Sequence, residues 1–190
     1  MRQSQLEGLI FNHHRPEFPL AIENTSNSLE GHAYTRGLEP TSVAMPPAIR
    51  KIPAGYHTAT PSLVVAGATK LLDFLKSAFG AKELAMFMMP DGTIGHSEVE
   101  IGDSRIMLGE ATADTPAMPG RVFLYLDDVD VAYKHAIDAG ATPMREPADQ
   151  FYGDRTAVVK DPVGNVWSLA THIEDVSDEE VRKRMAAQAM

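Results

Sequence analysis

The stretch DPVGNVWSLATH, residues 161 to 172, has the pattern of a turn followed by a strand with alternating apolar residues. The stretch IGDSRIMLGE, residues 101 to 110, shows the same pattern earlier in the chain. An offset of 61 residues superimposes four pairs of positions: Gly92 on Gly153, Asp103 on Gly164, Ile106 on Trp167 and Leu108 on Leu169. The offset indicates an internal repeat.

Each copy is predicted to contain a strand, a helix and three further strands. The first helix runs from Ala68 to Phe79, and Gly80 ends it. The second runs from the N-cap Asp128 to Ala139. The predicted strands are TPSLVV, AKELAMFMM, TIGHSEVEI and SRIML, then RVFLYL, a short extended piece near Thr142 to Arg145, DRTAVVK and VWSLAT. The predicted fold class is α+β, with two tandem βαβββ modules forming a cupped mixed sheet and helices outside.

Composition divides the chain into three parts. The first part mixes Pro, Gly, Asn and Ser without a period and is predicted to be irregular. Its adjacent His13 and His14 are interpreted as solvated, because a metal site needs positioned ligands, and Met45 is an alternative start. The predicted parts are an extension over 1–52, a domain over 53–176 with modules at about 58–112 and 119–173, and a helix over 177–190 capped by Ser177.

The composition of the 190 residues excludes several classes of protein. Hydrophobic residues make up 44% and charged residues 23%, which is typical of a soluble globular protein. A net charge of −9 argues against non-specific nucleic-acid binding, and no apolar run is long enough to span a membrane. Without cysteine, a metal would need His, Asp or Glu ligands. The sequence predicts a cytoplasmic protein.

Side chains that alternate with the predicted core positions point away from the helices and are predicted to line a small-molecule cleft. His96 and Glu98 lie two residues apart on one strand, so both side chains reach the same face. Trp167 falls on the helix side and is predicted to lie in the core. The predicted ligand-binding residues are Met107, Arg121, Phe123, Tyr125, Arg155 and Ser168.

Simpler structural roles remain open for these side chains. Glu100 and Arg105 flank a turn symmetrically and form a cross-strand ion pair in that interpretation. Arg155 would then be held by Asp154 or by a loop carboxylate. The aromatic pair Phe123 and Tyr125 would serve packing.

The combination of YHTATPSLVVAGATKLLDFLKSAFGAKE, DGTIGHSEVEIGDSRIMLGE, VFLYLDDVDVAYKHAIDAGA and FYGDRTAVVKDPVGNVWSLATHIEDVSDEE resembles the vicinal oxygen chelate superfamily. The likeness is greatest to its glyoxalase/bleomycin-resistance-like branch and covers about residues 53 to 182. It implies paired βαβββ modules, usually in a homodimer. It also implies metal ligands in the first and last strands of each module. Those positions hold Thr60, Met107, Arg121 and Ser168, which are poor ligands for a divalent ion.

Three hypotheses about function follow. The first is a small-molecule-binding protein without a metal at the usual positions. The second is a metal-dependent lyase, isomerase or dioxygenase of the glyoxalase type, with a relocated site at His96 and Glu98 that His57 or Glu100 completes. In a metal-free variant of it, His96 is the general acid or base and Arg121 holds an anionic substrate group. In the third, the extension over residues 1–52 or a partner chain fills the cleft.

Overall fold

A computed structural model describes residues 49–188, which form three helices and eight strands. The predicted extension, with His13, His14 and Met45, lies almost wholly outside the described residues. The helices are α1 (Ala68–Phe79), α2 (Val129–Asp138) and α3 (Asp178–Gln188). The strands are β1 (Ser62–Val65), β2 (Lys82–Met88), β3 (Ile94–Ile101), β4 (Ser104–Glu110), β5 (Arg121–Tyr125), β6 (Thr142–Asp149), β7 (Asp154–Lys160) and β8 (Val166–His172).

The strands form two four-stranded mixed sheets with the same topology. The strand order is β1-β4-β3-β2 in the first module and β5-β8-β7-β6 in the second. In each sheet the first strand pairs in parallel with the last strand, and the other pairings are antiparallel. The predicted α+β fold of tandem βαβββ modules is confirmed, whereas duplication of the sequence remains a prediction.

The core lies where α1 and α2 pack against each other and against one face of each sheet. Trp167 on β8 is fully buried there, as predicted, and its ring lies 5.4 Å from that of Phe79 on α1. Among the described residues, none of the helices is long and apolar enough to cross a membrane.

The turn DPVGN is held by the buried carboxylate of Asp161. One carboxylate oxygen accepts from the backbone N–H groups of Val163 and Asn165, both at 2.9 Å. The other accepts from Asn165 Nδ2 at 2.7 Å and from Trp167 Nε1 at 2.9 Å. Asn165 Oδ1 in turn accepts from the Gly120 N–H at 2.8 Å, just before β5. The turn therefore ties β8 to β5 and satisfies the buried indole.

The predicted helix caps are present. Gly80 has a left-handed conformation with φ 63° and ends α1. The Asp128 side chain accepts from the Val131 N–H at 3.0 Å, which caps α2. Ser177 accepts from the Glu180 N–H at 3.3 Å at the start of α3. α3 buries none of its residues.

Two predictions about the second sheet are wrong. The short extended piece near Thr142 to Arg145 is the full strand β6, whose mostly exposed residues carry no alternating apolar signal. Arg155 is predicted on the cleft face, but it shares a strand face with Ala157 and Val159. Those two residues pair with Leu169 and Trp167, so this face of β7 is on the helix side. β7 corresponds to β3 of the first module with an offset of 60 residues, whereas β8 corresponds to β4 with an offset of 61. A one-residue shift along a strand moves each side chain to the opposite face of the sheet.

Candidate functional site

The open face, meaning the sheet face opposite the helices, differs between the two modules. In the first module it carries Phe87, His96, Glu98, Arg105 and Met107, as the strand register and the burial pattern show. Polar and charged groups therefore dominate the centre of this sheet face.

His96 and Glu98 form a side-chain pair on β3. His96 Nε2 lies 3.3 Å from Glu98 Oε1, and both side chains are partly buried. The Phe87 ring lies 6.2 Å from the imidazole. Where Nε2 donates to Glu98, Nδ1 remains free to accept a proton from a ligand.

His96 also lines a cavity of about 350 Å³ at one end of this face. Its polar lining comes from β1, the β2–β3 turn, β4 and the loop after β4: Ser62, Asp91, Thr93, Glu110, Thr112 and Thr115. Glu110 is already engaged, because its carboxylate accepts from the Gly67 and Ala68 N–H groups at 2.7 and 2.8 Å. The cavity has the size of a small-ligand site.

Tyr56, in the segment before β1, lies against the same face. Its ring is stacked on the guanidinium of Arg105, whose Cζ lies 4.6 Å from the ring centroid. Hydrogen bonding to Tyr56, followed by that to His96, lowers the pKa of Glu98. Burial, followed by the bond to Glu98, raises the pKa of Tyr56. Glu98 is therefore an anion at neutral pH.

In the second module the open face combines an exposed aromatic pair with small buried residues. Phe123 and Tyr125 are 51% and 65% exposed, and their rings lie 5.2 Å apart. The small residues are Thr156, Val158, Ser168 and Ala170, all buried. Arg145 reaches this face from β6, and its Nη2 donates to Thr156 Oγ1 at 2.9 Å.

Tyr125 is fixed by a chain of hydrogen bonds at the edge of the sheet where β7 begins and β8 ends. Its hydroxyl donates to Asp154 Oδ2 at 2.9 Å, and Asp154 Oδ1 lies 2.8 Å from His172 Nδ1. His172 Nε2 lies 3.0 Å from Asp175 Oδ1. The bonds to Asp154 and then Asp175 raise the pKa of His172, and the Asp154 bond is the main cause of the raised pKa of Tyr125.

Of the predicted site residues, the structure brings His96, Glu98 and Met107 together on one module, and Arg121, Phe123, Tyr125 and Ser168 on the other. Arg155 does not join either group. Its guanidinium donates to Asp130 of α2 at 2.6 and 2.9 Å and to Asp149 at 2.8 Å. Carboxylates therefore hold Arg155, as the alternative interpretation expected, but they belong to α2 and β6 and are neither Asp154 nor a loop carboxylate.

The cross-strand ion pair of Glu100 and Arg105 does not form, although the two residues face each other in the register. Arg105 instead turns toward Tyr56. Sequence reasoning missed Tyr56, because an irregular Pro- and Gly-containing segment gives no indication of which side chains fold back. It also missed Arg145, because β6 was recognised only in part.

Comparison with known proteins identifies the fold family. Residues 56–169 match the family model described as Glyoxalase/Bleomycin resistance protein/Dioxygenase superfamily. The chain belongs to this superfamily. An uncharacterized protein of Mycobacterium bovis is 34% identical over 143 residues, which is 68% of this chain and 92% of that protein. An uncharacterized protein of Mycobacterium tuberculosis (strain H37Rv) is equally similar, with 82% of its length covered.

Solved structures of this superfamily share the fold. TnmS3, an antibiotic binding protein from Streptomyces sp. CB03234, is 26% identical with a TM-score of 0.50, covering 61% of this chain and 95% of TnmS3. TioX from Micromonospora sp. ML1 is 22% identical with a TM-score of 0.53, covering 60% and 97%. At that identity, TioX shows a similar fold only.

The positions at which the resemblance implies metal ligands do not fit a divalent ion. Thr60 lies before β1, and its hydroxyl donates to the His57 carbonyl at 3.4 Å. Met107 offers a soft thioether, Arg121 a cation and Ser168 a weakly coordinating hydroxyl. Within residues 49–188, no three His, Asp or Glu side chains are placed so that they could hold one metal ion, so neither His57 nor Glu100 completes a site with His96 and Glu98 there.

Proposed function

We propose that the protein binds a small molecule on its open face and does not need a metal at the usual positions. The observation that carries this proposal is the largely exposed aromatic pair Phe123 and Tyr125, of which Tyr125 is held in place by Asp154. Exposed aromatic side chains that are held rigidly favour binding of planar or amphipathic molecules. Arg121, exposed on the same strand face, supplies a cation for an anionic group of the ligand.

The similarity to TnmS3 supports this proposal, because that protein is described as antibiotic binding and is 26% identical to this chain. The cavity beside His96 adds a second enclosed volume on the open face of the first module.

The experiment that tests this function is a thermal-shift screen with planar and amphipathic compounds. A ligand at a hundred times its Kd should stabilise the protein by about 2.7 kcal/mol, which raises Tm. Phe123→Ala should abolish that shift, because half of the aromatic surface is removed. Met185→Ala is the matched control, since Met185 is also exposed but lies on α3. If no compound shifts Tm, or if Phe123→Ala changes nothing, this binding function is wrong.

A second candidate function is acid–base catalysis by His96. It is favoured by one observation: His96 lines the cavity and is oriented by Glu98 at 3.3 Å. Activity in lyase or isomerase assays, lost in His96→Ala, would support it. Metal content measured by mass spectrometry, with and without His96→Ala, tests the metal-dependent alternative directly.

We also propose a homodimer in the cytoplasm, with the domain at residues 53–176. Support for the dimer comes from the edge strand β2 and the residue after it, whose large apolar side chains are exposed: Leu84, Met86, Phe87, Met88 and Met89. Several large apolar side chains exposed on one edge strand are typical of an association surface.

A further inference from the structure

The segment from Pro53 to His57 places an aromatic side chain of the protein itself on the open face of the first module. The Tyr56 ring lies over the guanidinium of Arg105, and Tyr56 also lies close enough to Glu98 to lower the pKa of that carboxyl group. The backbone at Gly55 also lies against Arg105, since a Cβ built on Gly55 would fall 2.6 Å from Arg105 Cζ. One phenol thus stacks on a cation and lies beside an anion.

Arg105 is poorly satisfied in this arrangement. Its Nε is buried and lacks a hydrogen-bond partner among the described residues. Within that part of the chain, no carboxylate lies within ion-pair distance of its guanidinium, although Glu100 faces it across the strands. A buried donor without an acceptor carries an uncompensated desolvation penalty. The closed arrangement is therefore less stable than a fully paired one would be.

The segment is held to the sheet by few bonds. A turn bond joins the Tyr56 N–H to the Pro53 carbonyl at 3.2 Å, and the sheet is first reached when Met107 N–H donates to Pro61 at 2.9 Å. Residues 50–57 and Asp103 surround a cavity of about 740 Å³, so the segment does not fill the space beside it. Its displacement would break few contacts.

We propose that Tyr56 occupies the place of the ligand, and that the ligand class of this face is a planar aromatic molecule carrying a hydroxyl group. This inference rests on the proposed binding function and names the chemistry of the ligand that the open face of the first module takes. The ring of such a ligand stacks on Arg105, and its hydroxyl donates to Glu98, once the segment swings away. Tyr56 is thus a built-in competitor that sets the affinity for phenolic ligands.

The test is binding of 4-nitrophenol to the full chain at a pH below the pKa of its hydroxyl group, so that the hydroxyl can donate to Glu98. Binding is followed by ultraviolet absorption and by calorimetry. Tyr56→Ala should bind it at least about tenfold more tightly than the wild type, because the competing phenol is gone. Adding Arg105→Met to Tyr56→Ala should reverse that gain, because the stacking cation is lost. Tyr152→Ala, which removes an exposed tyrosine from the second module, is the matched control and should leave the affinity unchanged.

Nitrobenzene, which lacks the hydroxyl group, tests the role of Glu98. The Tyr56→Ala variant should bind nitrobenzene more weakly than it binds 4-nitrophenol, because nitrobenzene has no hydroxyl group to donate to Glu98. Equal affinity of the wild type and Tyr56→Ala for 4-nitrophenol would overturn the inference, as would tight binding that survives Arg105→Met. If the inference is overturned but some compound in the thermal-shift screen still raises Tm, only the ligand class is wrong. If the screen also fails in both proteins, the binding function is wrong as well.

Discussion

His172 lies between two carboxylates, those of Asp154 and Asp175, at 2.8 and 3.0 Å. A neutral imidazole has only one N–H, so both bonds form together only when the ring is protonated. Asp154 is buried and also accepts from Tyr125, which makes His172 the cation that accompanies a buried anion. The charge of one exposed histidine thereby supports the position of Tyr125 on the open face.

The raised pKa of His172 predicts a pH-dependent stability. Its contribution to the free energy of unfolding is fully present below the unfolded pKa of about 6.5 and is lost as pH rises through the folded pKa. Chemical denaturation at about pH 5.5 and about pH 8.5 measures it. His172→Gln should destabilise the protein more at the lower pH. His57→Gln, at another exposed histidine, is the control. If His172→Gln lowered the free energy of unfolding equally at both pH values, the prediction would be contradicted.

At the scale of elements, the DPVGN turn joins β8 to the start of β5 through one buried carboxylate. Asp161→Ala would leave the Trp167 indole N–H and the Asn165 amide without their acceptor inside the core. We expect a loss of about 3 kcal/mol in the free energy of unfolding, measured by urea denaturation. Asp103→Ala, in the exposed β3–β4 turn, should cost less than about 0.5 kcal/mol. Similar losses in both variants would exclude this role of Asp161.

The elements that could be predicted from the sequence are those with a regular pattern. The helix α1 follows from its apolar spacing and from Gly80, and β8 follows from the alternation around Trp167. The side chains of β7 were assigned to the wrong faces of the sheet. Residues 156–159 are buried on both faces, so the sequence of this strand does not alternate between apolar and polar residues in a way that identifies the core face. The register that decides the face is a long-range property of pairing with β8.

The candidate site was predictable only where its residues belong to such strands. His96 and Glu98 share a face because they are two residues apart on β3. Tyr56 lies in a segment without helix or strand, and its contact with Arg105 depends on how that segment folds back over the sheet. No short-range pattern in the sequence encodes such a contact.

At the scale of the whole molecule, the exposed apolar side chains of β2 predict self-association. In solution the particle should have twice the mass of one chain, as light scattering coupled to size-exclusion chromatography would show. Met88→Glu should lower that mass, because a charge at an apolar interface is costly to desolvate. Val131→Glu, on an exposed position of α2, should leave it unchanged. A wild-type protein with the mass of one chain would refute the homodimer.

The one-residue slip in β7 has a consequence for protein engineering. A designer who copies the His96–Glu98 pair into the second module with the 61-residue offset would place it at Ala157 and Val159, inside the core. The register instead equates Glu98 with Val158, because these residues pair with Met107 and Ser168, respectively. A transplanted pair therefore belongs at Thr156 and Val158, where it would meet the Arg145 side chain instead of a tryptophan.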